Sequence, residues 1–321
     1  QAEDGIRDFC LSRGLGDVYK RQGIASTNVS VYDHLMRKIL SLIFASIFFM
    51  SASHADLENR ISEIIAGWIP GEGITEVGVE LNDADNDNIN FSILGVRSIE
   101  KTDDSNVFTQ FSLRNEEKNS SGRLTGNLGF GLRELNEDQS FMYGANVFLD
   151  ADILEGHKRL GLGLETKSSL VDLSTNYYQG LTRMKTVDGI EEKVLSGWDY
   201  NLTTQVPYHP WIKLNLEGYK WKAEKATTDS KGMIYGSEFN INPVVQFNFS
   251  LDKSDNEGVE DIYKAEVLFT YPPRENIRTM QDGKSDVAFE KDNMQAKLTE
   301  KVRRNNNLAV EIQGAVIVTS K

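Results

Sequence analysis

The stretch HKRLGLGLET, residues 157–166, places Leu160, Leu162 and Leu164 at every second position with Gly161 and Gly163 between them. Successive side chains of an extended chain point to opposite faces, so this segment is apolar on one side and nearly bare on the other. The same period of two runs outward in both directions. Phe141, Tyr143, Ala145, Val147 and Leu149 alternate with Met142, Gly144, Asn146, Phe148 and Asp150. Ile212, Leu214 and Leu216 alternate with Lys213, Asn215 and Glu217, and Val245, Phe247, Phe249 and Leu251 with Gln246, Asn248, Ser250 and Asp252.

Twelve strands are expected, near 75–82, 88–100, 105–116, 121–135, 139–151, 157–167, 170–181, 193–206, 211–223, 230–241, 244–254 and 260–271. Most reach the roughly 9–11 residues of a tilted transmembrane strand, and bacterial outer-membrane barrels usually have an even strand count. Loops 101–104, 136–138, 168–169, 207–210 and 242–243 are short. The alternate loops 83–87, 117–120, 152–156, 182–192, 224–229 and 255–259 tend to be longer and charged. Tight periplasmic turns and long extracellular loops are the habit of an up-and-down barrel. A soluble β-sandwich shares the alternation of side chains, but nothing in it requires alternation of loop length. Tyr177, Trp198, Tyr200, Tyr208, Trp211, Tyr219, Trp221, Tyr263 and Tyr271 lie mostly towards strand ends, where interfacial girdles need them. The expected fold is therefore all-β, a twelve-stranded antiparallel up-and-down transmembrane β-barrel over residues 73–272.

Composition agrees with this. The hydrophobic fraction is 39% and the charged fraction 26%, too polar for a helical membrane bundle and too apolar for disorder. Met36 opens MRKILSLIFASIFFMSASHA, where Arg37 and Lys38, the apolar run Ile39 to Met50 and Ser53-His54-Ala55 read as a secretory signal peptide over 36–55. The apolar run falls short of the roughly 20 residues that span a bilayer. Residues 1–35 look like translated sequencing-adapter read-through, a non-native leader, and hold Cys10, the single cysteine. The mature chain is then left with no thiol to pair, bind metal or attack. Residues 56–72 read as a short periplasmic amphipathic helix, with Asp56 as cap, Leu57, Ile61, Ile64, Ile65 and Trp68 on one face, and Pro70-Gly71 as the stop. The formal net charge is −13, and no basic stripe interleaves with aromatics, so nucleic acid is not an expected partner.

In the expected barrel the leucines of RLGLGLE face lipid, and Gly129, Gly131, Gly144, Gly161 and Gly163 share one inner wall on three consecutive strands, with Asn146 beside Gly144. Glycine weakens a strand and is often kept where another backbone comes close, so a lumen occupant fits. Small inner residues also let a tight sheet bend, and that reading fits as well. A candidate occupant lies C-terminal to the last strand. After Pro272-Pro273, residues 285–303 read as a polar helix without a broad apolar face, suited to a solvated tail or a polar cavity. Leu308 to Val318 returns to extended, β-rich sequence.

The block GNLGFGLRELNEDQSFMYGANVFLDADILEGHKRLGLGLETKSSLVDLSTNYY, residues 126–178, resembles the β-domain of inverse autotransporters, the intimin and invasin family. SGWDYNLTTQVPYHPWIKLNLEGYKW, 196–221, and KLTEKVRRNNNLAVEI, 297–312, resemble two further blocks of that family in the same order. The resemblance covers about Trp68 to Gln313. It implies a barrel of the bacterial outer membrane whose C-terminal linker lies in the lumen as a helix and continues to an adhesive passenger. Residues 273–321 would then be lumen helix and linker, with the passenger absent here. By position the resemblance makes Gly129, Gly131, Gly144, Asn146, Arg159, Gly161, Gly163 and Glu165 pore-lining, and Arg303, Arg304, Asn305, Asn306 and Asn307 the linker. Implied partners are outer-membrane lipid, the barrel assembly machinery, periplasmic chaperones and the chain's own linker.

The chemistry of a catalytic site is not legible. His157 and His209 are the histidines after the signal, with no G-x-S-x-G elbow and no H-E-x-x-H. NDADNDN at 82–88 offers Asp83, Asp85 and Asp87 but lacks the glycine and bidentate glutamate of a calcium loop. No cofactor or metal and no enzymatic activity is expected. The leading reading is a membrane anchor and translocator; a small porin-like diffusion channel is the alternative, and a secreted β adhesin a third.

Overall fold

The computed structural model describes residues 71–82, 89–118, 121–187, 189–312 and 315–317. The expected leader, signal peptide and helix up to residue 70, and most of the acidic NDADNDN stretch, lie outside the described residues.

The segments that alternate with period two are the strands. They are β1 (Gly73–Asn82), β2 (Ile89–Lys101), β3 (Ser105–Lys118), β4 (Ser121–Leu135), β5 (Phe141–Asp152), β6 (Lys158–Ser168), β7 (Val171–Gly180), β10 (Gly197–Val206), β11 (His209–Trp221), β12 (Ser230–Asn240), β13 (Val245–Ser254) and β14 (Ile262–Tyr271). Each pairs antiparallel with its neighbours, and β14 closes on β1 with Thr75 opposite Tyr271 and Asn82 opposite Lys264. The result is a closed barrel of twelve strands. Closure gives every strand two neighbours, which is what a backbone in hydrocarbon requires.

Burial runs opposite to that of a water-soluble fold. Leu162 and Leu164 are 51% and 62% exposed, whereas Arg159 and Asp150 are each 0% exposed. Leu128, Phe130, Leu132, Tyr143, Leu149, Leu173 and Tyr177 share the open outer face. Only a barrel with hydrocarbon outside and a polar, filled interior makes this the favourable arrangement. A sandwich would bury these leucines between two layers.

The connections set two distinct ends. Tyr271 and the start of β1 lie at the end that carries the short turns, such as Pro207-Tyr208 between β10 and β11. The opposite, long-loop end holds a feature the alternation of the barrel strands does not foretell. The segment expected as plain loop 182–192 folds into a hairpin, β8 (Lys185–Val187) and β9 (Ile190–Val194), turning at Gly189 with φ +81°. The Asp188-Gly189 pair was the available signal. Two strands after the barrel, β15 (Val310–Ile312) and β16 (Ala315–Ile317), complete a four-stranded sheet in the order β16-β15-β9-β8.

Candidate functional site

The lumen is occupied by the chain's own C-terminal segment. It enters at the short-turn end, where the Tyr208 amide donates to the Ala288 carbonyl and Gln205 Nε2 donates to the Glu290 carbonyl at 3.0 Å. Leu298 packs with Leu135, Met142 and Met294 inside that mouth. Lys297 donates to the Ser168 carbonyl and to Asp172, each at 2.6 Å. The segment leaves at the long-loop end, where the Leu195 amide donates to the Ala309 carbonyl and β15 pairs with β9.

Between these ends the chain is held by charge on nearly opposite sides of the ring. Glu300 pairs with Lys167 of β6 at 2.8 Å and Lys301 with Glu76 of β1 at 2.6 Å. Arg303 reaches Glu238 of β12 through two bonds of 2.5 and 3.0 Å. Arg304 turns the other way and grips Asp150 of β5 through two bonds of 2.9 and 2.7 Å. Asp150 also accepts from Arg159 Nε at 2.8 Å and Asn127 Nδ2 at 2.7 Å, so two guanidiniums and an amide converge on one buried carboxylate. The Arg304 guanidinium lies 4.1 Å from the Phe148 ring centre and that of Arg159 4.2 Å from Tyr178. Stacking of this kind adds an attraction that a desolvated cation uses well.

A second set of contacts touches only peptide groups. Asn106 and Arg133 donate to the Leu298 carbonyl at 2.8 and 3.0 Å, and Gln110 accepts from the Val302 amide at 2.8 Å. Ser174 and Asn176 donate to the Arg303 carbonyl at 3.1 and 3.0 Å. Arg159 Nη1 and Nη2 donate to the Asn307 and Asn305 carbonyls at 2.9 and 2.7 Å, and Asn127 reaches the Asn306 carbonyl at 3.0 Å. The Asn305 amide donates to Tyr178 Oη at 2.8 Å and to Asp199 at 3.2 Å. On the other side of the linker a cavity of roughly 170 Å³ remains, lined in part by Glu80, Arg114, Asn201, Lys264 and Glu266.

This arrangement corrects the expected lumen helix. Over 285–303 only Met294–Lys297, here α1, is helical, capped by the Asn293 side chain; the rest has no regular secondary structure. A helix spends its carbonyls on its own amides. Here carbonyls of 298, 300, 303, 305, 306 and 307 go to wall side chains instead. Released from a helix, adjacent side chains can turn to opposite walls, as Arg303 does to Glu238 and Arg304 to Asp150.

The glycine wall needs a second correction. A Cβ on Gly161 would stand 2.9 Å from Arg304 Nη2, so this glycine does make room for the linker. The others make room for the wall. A Cβ on Gly129 would stand 2.4 Å from the Phe148 ring, one on Gly131 2.4 Å from the Phe108 ring, and one on Gly144 2.8 Å from Glu165. On Gly163 it would meet the Asn146 and Asn176 side chains at 2.4 and 2.5 Å. The rings lie flat across neighbouring glycines and offer their faces to arginines: Phe148 to Arg304 and Phe108 to Arg133, the latter at 4.4 Å. Glu165 bonds Arg133 at 2.7 Å rather than the linker, and Arg133 in turn reaches the Leu298 and Glu300 carbonyls. Asp150, Asn127, Arg133, Tyr178, Asp199 and Glu238 are among the contact residues that sequence reasoning did not single out. Their signal was a polar or ionisable side chain at an inward position.

Residues 47–306 match the family described as inverse autotransporter, beta-domain. The chain belongs to this family. As an inverse autotransporter β-domain it is an outer-membrane β-barrel, and its apolar outer face contacts lipid. It is 25% identical over 228 residues to the inverse autotransporter adhesin YeeJ of Escherichia coli strain K12, covering 68% of this chain and 9% of that protein. It is 26% identical over 137 residues to invasin of Yersinia enterocolitica, 42% of this chain and 16% of that protein. Intimin of Citrobacter freundii matches at 23% over 285 residues, 79% of this chain and 27% of that protein. The chain thus spans a small part of these relatives. A solved structure from work on in-meso crystallization of membrane proteins superposes with a TM-score of 0.60 at 20% identity, covering 74% of this chain and 99% of that one. That likeness is one of fold.

Proposed function

We propose that this barrel exports a C-terminal passenger through its lumen and then holds it at the cell surface, plugged by its own linker. The observation that carries the reading is the passage of residues 288–312 through the lumen from the short-turn end to the long-loop end, with buried ion pairs on both walls. The two kinds of contact suit two stages. Wall donors that grip peptide carbonyls meet the same group on any extended chain, so they can be exchanged residue by residue while a chain slides. The pairs Arg303–Glu238 and Arg304–Asp150 need specific side chains and arrest the chain in one register.

In this reading the barrel is not an enzyme. Arg159, Gly161, Arg303, Arg304 and Asn305 to Asn307 form the holding site, and Gly129, Gly131, Gly144, Asn146, Gly163 and Glu165 shape the wall behind it. Periplasmic chaperones and the barrel assembly machinery are the partners that deliver and insert the strands. A porin-type channel would need the linker outside the barrel, and the filled lumen argues against it. The test is display. An epitope-tagged domain fused after Lys321 should be reached by antibody on intact cells; a tag reached only after permeabilisation refutes export.

A further inference from the structure

We propose that the long-loop rim carries a preformed binding site for an extended peptide strand of apolar–acidic–apolar sequence, and that Val310-Glu311-Ile312 occupies it as a latch. The inference draws its purpose from the export reading, but the site stands on its own geometry.

The site has three parts. The first is the edge of β9, to which β15 adds as a strand, Val310 opposite Val194, Glu311 opposite Lys193 and Ile312 opposite Glu192. That edge is fixed to the barrel before any strand arrives. Glu192 is buried and accepts from Arg123 at 2.6 Å, Arg123 also donates to Asp152 at 3.1 Å, and His157 Nε2 faces the second Glu192 oxygen at 3.3 Å. Lys185 of β8 is tied to the Glu155 carbonyl. None of these anchoring groups belongs to the linker.

The second part is an anion nest. In the loop between β11 and β12, three successive amides converge on one carboxylate: those of Glu224, Lys225 and Ala226 donate to Glu311 at 2.7, 2.8 and 3.1 Å. Asp229 shapes the loop by accepting from the Ala223 amide at 3.0 Å. Consecutive amides of this kind form a cradle for negative charge, and Glu311 is only 2% exposed. The third part is apolar. Leu308, Val310 and Ile312 pack with Val194 and Ile190.

Strand addition supplies affinity through main-chain bonds, and pockets for alternate side chains supply choice. The nest selects the acid and the apolar cluster selects its neighbours. A chain that has passed outward therefore stops where Glu311 meets the nest, and retreat must break all three parts together.

Hydrogen exchange on the intact, folded chain tests this. In the unmodified protein the amides of 224–226 should exchange slowly although they lie in a loop; exchange at free-loop rates overturns the proposal without any variant. Glu311→Ala should speed exchange of 222–229 and 308–312 by about tenfold or more, the loss expected when charge-assisted bonds go, while 300–306 in the lumen changes little. Unchanged rates at 224–226, or an equal rise throughout the linker, overturn it. Display of a tag after Lys321 reports export separately: a failed latch leaves the tag outside, and failed export keeps it inside.

Discussion

Replacing Arg304 with methionine removes the most buried link between linker and wall. Arg304 and Asp150 are 1% and 0% exposed in their side chains, so solvent does not screen the pair. Breaking a buried pair by deleting one partner costs about 3–5 kcal/mol when the other charge is left alone. Asp150 is not left alone, because Arg159 Nε and Asn127 Nδ2 still donate to it at 2.8 and 2.7 Å. The loss is then closer to that of charge-assisted bonds plus stacking on Phe148, about 2–3 kcal/mol. If the seated linker closes the lumen, this raises the time spent open by roughly 30- to 150-fold. Single-channel recording in a planar bilayer reads it directly, as rare openings of the unmodified barrel becoming frequent. Asp150→Asn and the double variant complete a cycle whose coupling should exceed about 1 kcal/mol. An opening frequency unchanged in Arg304→Met, or effects that simply add, would refute the clamp.

Three further outcomes follow from the wall, the outer face and the rim. Gly131→Ala should cost about 1–3 kcal/mol because the Phe108 ring, stacked on Arg133, cannot yield, and urea unfolding in lipid vesicles should give the same cost in an Arg304→Ala background. Gly161→Ala should lose its cost there, since its obstacle is the Arg304 guanidinium, which that background removes; equal behaviour of the two glycines contradicts the division of roles. Leu162→Arg should destabilise the inserted barrel by about 2–4 kcal/mol if its side chain meets the bilayer midplane, measured by the same titration, and a cost near zero would mean that face meets water. At the rim, burial holds the His157 imidazole below its ordinary value against the pull of Glu192 and Asp152, with Lys185 opposing them. A detached rim therefore takes up a proton as pH falls below about 6.5 while the docked one resists it. Exchange of 190–195, corrected for its intrinsic rate, should rise from pH 7.5 to 5.5, and His157→Gln should remove that dependence.

The barrel was legible because the alternation of RLGLGLE and its neighbours is imposed by two media, and any strand that crosses them must repeat it. Strand limits at 121–135 coincide with β4, and those at 105–116 fall two residues short of β3. What the linker does was not legible from its own residues. Residues 285–303 read as helical by local preference, and beyond α1 the competing demand comes from donors such as Arg133, Arg159 and Asn176, more than a hundred positions away in the chain. The glycines misled for a related reason. Gly129 and Gly131 signal a close approach, but sequence spacing does not say that the approaching groups are the cross-strand rings of Phe148 and Phe108. The hairpin β8–β9 was hidden by its length, since three- and five-residue strands carry too little alternation to stand out from a charged loop.

The passage of residues 288–312 through the barrel can be read from its two ends. In a Cys10→Ser background, single cysteines at Ser285 and Ala315 can be offered a membrane-impermeant maleimide on intact cells. Labelling is expected at 315, and none at 285 until the outer membrane is opened. Labelling of both, or of neither, would contradict it.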